Sequence, residues 1–275
     1  VDSGAEADII YGFERFIGGE GNDYIIAHAS DTTYLAGGAG NDYLLGDDGV
    51  LVEAGDGNDR LGSRASGGAT LNGGAGNDTV EYSGTNGQSS GTAGISVTLQ
   101  ETGDTTVDYL DGSATDETIR NIENVTGSTG NDTITGDSNV NRILGQAGDD
   151  IIIGGAGSDI LDGGAGTDTL RFDDLVGAGI QIDFDVNRAT FFGDSSQDVF
   201  SNFEIFYMSN QDDIINSFTG AETVFGLGGD DTFNADSGAD TFDGGTGTDT
   251  VDYSGMATAN FITVTLNGNA DATVT

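Results

Sequence analysis

Residues 127–171 read GSTGNDTIT GDSNVNRIL GQAGDDIII GGAGSDILD GGAGTDTLR, one nine-residue phrase five times over with nothing between copies. The copies open at Gly127, Gly136, Gly145, Gly154 and Gly163. Glycines stand where a turn needs positive φ, an aspartate closes the turn at the sixth place, and an apolar residue follows two places later. One copy is a turn plus a short strand, too small to bury its apolar side chain alone. Stacked copies bury it jointly, so the phrase predicts a solenoid.

The phrase recurs on both sides of this run, at residues 18–23, 37–42, 73–78 and 244–249, and looser copies close at Asp59, Asp213, Asp231 and Asp240. Where the aspartate is lost the apolar place is kept: Ile143 follows Asn141, and Val224 follows Glu222. The inward strand residue is therefore the stricter requirement. A longer repeat organises the shorter one. Phe13 to Gly18, Ile122 to Gly127 and Phe203 to Met208, which open Phe-Glu, Ile-Glu and Phe-Glu, each stand before a block of nonapeptides, and each block leaves through a similar seam, at Val80 to Gly84, Leu170 to Phe172 and Val251 to Gly255. After each seam an alternating strand is expected, over 95–99, 180–184 and 262–266. The resulting division is 1–17 as the tail of an inter-block segment, 18–81 as block 1, 82–126 as a β cap or linker, 127–171 as block 2, 172–207 as an aromatic β cap or linker, 208–252 as block 3, and 253–275 as the start of another segment. On this division the chain reads as a piece of a longer tandem array. The inter-block segments, with Phe191, Phe192, Phe200, Phe203, Phe206 and Tyr207 in the second, are expected to cap solenoid ends, and the rings to form core rather than a ligand platform.

The phrase closely resembles the glycine- and aspartate-rich nonapeptide of RTX (repeats-in-toxin) proteins, the hemolysin-type calcium-binding repeats. That resemblance implies an all-β fold of right-handed parallel β-roll (β-solenoid) blocks, two nonapeptides to a coil, with calcium between turns on one edge. It implies carboxylate ligands at Asp23, Asp42, Asp59, Asp78, Asp132, Asp150, Asp159, Asp168, Asp213, Asp231, Asp240 and Asp249. It also implies backbone carbonyl ligands in the turns, among Gly19, Gly21, Gly37, Gly38, Ala39, Gly40, Gly145, Ala147, Gly163, Ala165, Gly226, Gly228, Gly244 and Thr246. Secretion through a type I system is a further implication.

The composition points to the same ion independently. Calcium takes six to eight oxygen ligands, carboxylates and carbonyls alike. The chain has no cysteine and, in His28, a single histidine, so the sulfur and nitrogen ligands favoured by zinc or copper are missing. Its formal charge is -40, from 47 acidic residues against seven arginines and no lysine. Coils of a parallel solenoid stack about 4.8 Å apart, and neighbouring carboxylates at that spacing repel by about 1 kcal/mol even in water. Folding without cations is opposed, so we expect a chain that folds on binding calcium. The competing reading of each aspartate, an Asx hydrogen bond that merely closes its turn, would prevail for an isolated copy but not for carboxylates stacked in register. Register furnishes one edge of each block better than the other and predicts a full row of calcium there with a partial or empty row opposite: Asp23, Asp42, Asp59 and Asp78 lie one coil apart, whereas the turns between them, near Ser30, Gly49 and Gly67, lack the phrase.

Nucleic acid is excluded as a partner by charge, and no apolar run is long enough for a membrane span. Catalysis finds no footing: a nucleophile triad needs a base, and His28 has no neighbourhood of that kind. The expected function is a calcium-rigidified repeat region of an extracellular protein, part of an adhesin, surface layer or filament, with neighbouring units of the same or a longer protein as partners and a homopolymer as one assembly. The alternative is an export and folding module of a secreted enzyme or toxin. A third idea, ice binding by an outward threonine array, is opposed by the mixed outward residues Tyr24, Tyr43, Arg60, Thr79, Ile151 and Ile160.

Overall fold

The computed structural model describes residues 13–27, 32–47, 49–63, 68–83, 93–110, 112, 116–175, 177, 179–216, 221–235 and 240–255, and the backbone of 273–274. His28, Ser30, Gly67 and the strand expected over 262–266 lie outside the described residues.

Block 1 folds into β1 (Arg15–Glu20), β2 (Tyr24–Ile26), β3 (Tyr34–Ala39), β4 (Tyr43–Gly46), β5 (Leu51–Asp56), β6 (Arg60–Ser63), β7 (Thr70–Ala75) and β8 (Thr79–Glu81). The segment after it gives β9 (Ile95–Thr98), β10 (Thr105–Tyr109), β11 (Glu117–Arg120) and β12 (Asn124–Thr126), and block 2 gives β13 (Thr133–Thr135), β14 (Arg142–Ala147), β15 (Ile151–Ile153), β16 (Ile160–Ala165) and β17 (Thr169–Arg171). The aromatic segment supplies β18 (Ile180–Asp183), β19 (Arg188–Phe191), β20 (Gln197–Ser201) and β21 (Ile205–Tyr207). Block 3 supplies β22 (Ile214–Asn216), β23 (Thr223–Phe225), β24 (Thr232–Asn234), β25 (Thr241–Asp243) and β26 (Thr250–Asp252), with β27 (Thr273–Val274) beyond it.

Consecutive nonapeptides alternate between two facing sheets, one of 13 strands and one of 14, each pairing in parallel with the strand one coil away. The chain is thus an all-β parallel solenoid. Registration puts equivalent inward residues in single file. In the 14-stranded sheet Leu44, Leu61, Val80, Val125, Ile143, Leu161 and Phe200 are successive partners. In the 13-stranded sheet Val97, Ile134, Ile152, Leu170, Phe206 and Val224 follow one another likewise. All of these are buried, at roughly 1.5–3 kcal/mol each for the larger side chains. Short three-residue strands suffice because each needs only one inward side chain.

The inter-block segments differ from the expected caps. Each splices three strands into one sheet. In the 13-stranded sheet the order runs β7-β11-β10-β9-β13, with β11 parallel to β7, β9 parallel to β13 and β10 antiparallel to both, while in the opposite sheet β12 alone joins β8 to β14. The second segment repeats the device on the other face: β16-β20-β19-β18-β22 on the 14-stranded side, β21 alone between β17 and β23. The segments do link the blocks, but they cover no free end, because a block is hydrogen-bonded to either side of each. Two extra strands at about 4.8 Å lengthen one sheet locally by about 10 Å, first on one face and then on the other, so the two wedges oppose.

Four of the six aromatic residues are core, as expected. Phe191, Phe200, Phe203 and Phe206 are buried, and Phe184, Phe200 and Phe206 meet edge to face with centroids 4.8–5.8 Å apart. Phe192 is exposed, and Tyr207 stacks on Phe225 of the next coil. Among the described residues three arginines neutralise nearby acids: Arg60 pairs with Glu81, Arg120 with Asp104 and Arg171 with Asp173.

Candidate metal centre

The turn aspartates form ladders. Asp23 N–H donates to Asp42 Oδ1 (2.8 Å), Asp42 N–H to Asp59 Oδ1 (2.7 Å), and Asp59 N–H to Asp78 Oδ1 (2.8 Å). In block 2 the same bond links Asp132 to Asp150 and Asp150 to Asp168, each at 2.8 Å. In block 3 it links Asp213 to Asp231 (2.9 Å) and Asp231 to Asp249 (3.1 Å). One carboxylate oxygen is thereby spent on holding coil to coil.

In several rungs the other oxygen has no partner. Oδ2 of Asp42, Asp59, Asp78, Asp150, Asp159 and Asp231 is buried without a hydrogen-bond partner, in residues at most 3% exposed. A buried anionic oxygen left unsatisfied costs several kcal/mol, so the repetition of the same orphan marks a missing positive partner. The first glycine of each phrase shapes the space this oxygen faces. A methyl group in place of a Gly37 hydrogen would strike Asp42 Oδ2 and lie 2.6 Å from the Ala54 carbonyl oxygen. At Gly226 it would strike Asp231 Oδ2 and lie 2.7 Å from the Gly244 oxygen. At Gly145 the walls are Asp150 Oδ2 and the Gly163 carbonyl. Each slot is lined by a carboxylate from one turn and a carbonyl from the next coil, a hard-oxygen donor set that suits calcium. Among the described residues no three acidic or histidine side chains converge on one point, so carbonyls and water must make up the rest of any such shell.

Burial governs the electrostatics. Desolvation, with the next carboxylate of the ladder adding repulsion, pushes Asp78, Asp150 and Asp231 up to about 7 from 3.8. Asp159 rises to about 7 by desolvation and the charge of Asp137. Asp42, Asp59 and Asp168 are raised for the same primary reason. Ladder hydrogen bonds oppose these shifts without cancelling them.

The other residues expected in the sites are placed as follows. Asp132 and Asp213 are self-satisfied: Ser128 N–H donates to Asp132 Oδ2 (2.7 Å) and Ser128 Oγ to its Oδ1 (2.7 Å), and Ser209 serves Asp213 likewise at 3.0 and 2.8 Å. Asp23, Asp240 and Asp249 are only partly buried. Gly37, Gly145, Gly163 and Gly244 present carbonyls to the slots. The carbonyls of Ala39, Ala165 and Thr246 accept N–H groups of Gly21, Gly148 and Gly229 on the neighbouring coil, and that of Gly226 accepts from Gly228. Gly19, Gly21, Gly38 and Gly40 carbonyls abut glycines of the next coil, and Ala147 pairs in register with Ala165. Gly228 bridges Thr246.

Three residues outside the nonapeptides join the rows. Asp78 N–H donates to Glu123 Oε2 (2.7 Å) and Asp168 N–H to Glu204 Oε2 (2.8 Å), so the glutamates already noted before blocks 2 and 3 stand where the next aspartate would. Their partners Asn121 and Asn202, at φ 50° and 57°, bring carbonyls to Gly73 and Gly163 in place of a glycine carbonyl. The signal was the shared Asn-x-Glu triplet at 121–123 and 202–204. Asp198 has no such signature. It is fully buried in β20, accepts Asp159 N–H at 2.9 Å, leaves Oδ2 without a partner, and is pushed by desolvation up to about 8.

The furnished row also changes sides. In blocks 1 and 3 it lies where the chain passes into the 14-stranded sheet, ahead of β2, β4, β6 and β8 and of β22, β24 and β26; in block 2 it lies ahead of β13, β15 and β17 on the opposite edge.

No curated protein matches this chain. The family model for the RTX calcium-binding nonapeptide repeat matches residues 10–31, 31–50, 65–86, 121–143, 135–170 and 216–251, together more than half of the 275 residues. With a two-sheet solenoid, stacked sixth-position aspartates and glycine slots walled by oxygen, the chain belongs to the RTX family of calcium-binding nonapeptide repeats.

Proposed function

We propose that the aspartate rows bind calcium and that the chain is a structural repeat region of an exported protein, which folds and stiffens outside the cell when calcium is met. The observation that carries this reading is the recurring buried Oδ2 without a donor. The proposed ligands are Asp42, Asp59, Asp78, Asp150, Asp159 and Asp231, joined in their rows by Asp23, Asp168, Asp240 and Asp249, with turn carbonyls such as Gly37, Gly145, Gly163 and Gly244 completing the shells. Asp132 and Asp213 serve instead as closed first rungs. The region has no catalytic role of its own in this proposal.

A stalk or lattice role in an adhesin, surface layer or filament is supported by the splicing of both inter-block segments into unbroken sheets. Thirteen strands at about 4.8 Å give a rod about 60 Å long, continuous across all three blocks. Electron microscopy of the calcium-loaded parent protein tests the role: fibres or a lattice are expected, and a dispersed carrier with a compact active domain refutes it. Calcium titration followed by far-UV circular dichroism tests the binding. Strand signal should appear with saturation, and a chain that takes up no calcium at millimolar concentration defeats the reading.

A further inference from the structure

We propose that Asp159 and Asp198 form a divalent-cation site at the seam between block 2 and the strands of the aromatic segment, a site for which the nonapeptide supplies Asp159 alone. The slot at Gly154 brings two carboxylates together. A methyl group there would lie 2.8 Å from Asp159 Oδ2 and 3.3 Å from Asp198 Oδ2, with Leu161 Cδ1 at 3.2 Å on a third side. Both carboxylates are at most 1% exposed, and both Oδ2 atoms lack a hydrogen-bond partner. The two oxygens thus face one point.

Their remaining oxygens are committed. Asp198 Oδ1 accepts Asp159 N–H at 2.9 Å, and Asp159 Oδ1 accepts Asn141 N–H at 2.9 Å. The backbone frame is equally fixed, since Val199 N–H donates to Asp159 O at 2.8 Å. Neither side chain can turn away to find a donor without breaking a ladder bond. Two carboxylate oxygens held together in a dry slot need a proton or a cation between them, and once both are ionised an all-oxygen pair selects a hard divalent ion, completed by carbonyl oxygen or water. Because Asp198 sits in β20, such an ion would pin the antiparallel insert to block 2 as the nonapeptide ions pin coil to coil.

The proposal rests on the calcium reading of the rows, and one experiment separates the two. Native mass spectrometry counts calcium ions on the full chain, on Asp198→Asn and on Gly154→Ala, with circular dichroism confirming the fold at saturating calcium. Asparagine keeps the acceptor for Asp159 N–H, and the alanine methyl fills the slot while retaining both carboxylates in the chain. Each variant is expected to bind one ion fewer than the parent chain. A folded variant of either kind that retains the full count overturns the site. If Asp198→Asn fails to fold, Gly154→Ala decides. A parent chain that binds no calcium refutes the row reading itself.

Discussion

Stripping calcium should make this fold depend on pH in the direction opposite to ordinary acid denaturation. Asp78, Asp150, Asp159 and Asp231 rise from 3.8 to about 7, and Asp198 to about 8, chiefly because burial disfavours their charged forms. A carboxyl whose folded pKa lies above its unfolded one favours folding fully below the unfolded value and loses that contribution as pH climbs through the folded value. A rise from 3.8 to about 7 corresponds to about 4 kcal/mol per group against folding once all are ionised. Coupling along the ladder shares this cost, yet a quarter of it over five groups is still about 5 kcal/mol, comparable to the whole stability of many domains. In chelator, strand signal in far-UV circular dichroism should therefore be present near pH 5.5, above the chain's pI of about 4.1, and lost by about pH 8. Millimolar calcium should restore it at pH 8, because the ion replaces the protons. Sedimentation at each pH excludes aggregation. A chelated chain equally ordered at both pH values, or ordered only at the higher one, would falsify the argument.

Three substitutions, with a fourth as control, probe the frame on which the rows depend. Gly55→Ala places a methyl against the Gly38 carbonyl oxygen at φ 119°, so a loss of about 2–4 kcal/mol in calcium-saturated denaturant unfolding is expected; an unchanged midpoint contradicts the close stacking of coils. Glu204→Ala leaves the Asp168 N–H without its acceptor at 2.8 Å and should cost about 1–3 kcal/mol, read by the same unfolding, with raised amide exchange at Asp168 as the local check. Phe206→Ala empties the centre of the cluster with Phe184, Phe200 and Phe203 and should cost about 3–5 kcal/mol, whereas Phe192→Ala, at an exposed ring, should change stability by less than about 0.5 kcal/mol.

Particular residues show how far sequence reasoning reached. The eighth-position rule found Ile143 and Val224 as core even where the turn had lost its aspartate, and both are buried at 0% exposure. It worked because one inward side chain per strand is the only burial a three-residue strand provides. Ser128 and Ser209 were visible at the second position of their phrases, but their closure of Asp132 and Asp213 depends on a hydroxyl and an amide reaching the carboxylate across the turn. Composition alone does not decide that. The cap expectation for 82–126 and 172–207 went astray because lack of repeats was equated with an end of the sheet, when antiparallel strands can continue a parallel one.

What the chain order determined by itself is everything that repeats: the turn and strand alternation, the single file of core residues, and the ladder whose partners sit about one coil apart, as in the 18-residue step from Asp132 to Asp150. A fixed offset lets each copy specify its neighbour. What only the tertiary structure decided lies at the seams, where Asp78 meets Glu123 at 45 residues' separation and Asp159 meets Asp198 at 39. Those separations include strands that double back, so no period encodes them, and the side on which each carboxylate row runs follows from how three strands pack into one sheet while a single strand crosses the other.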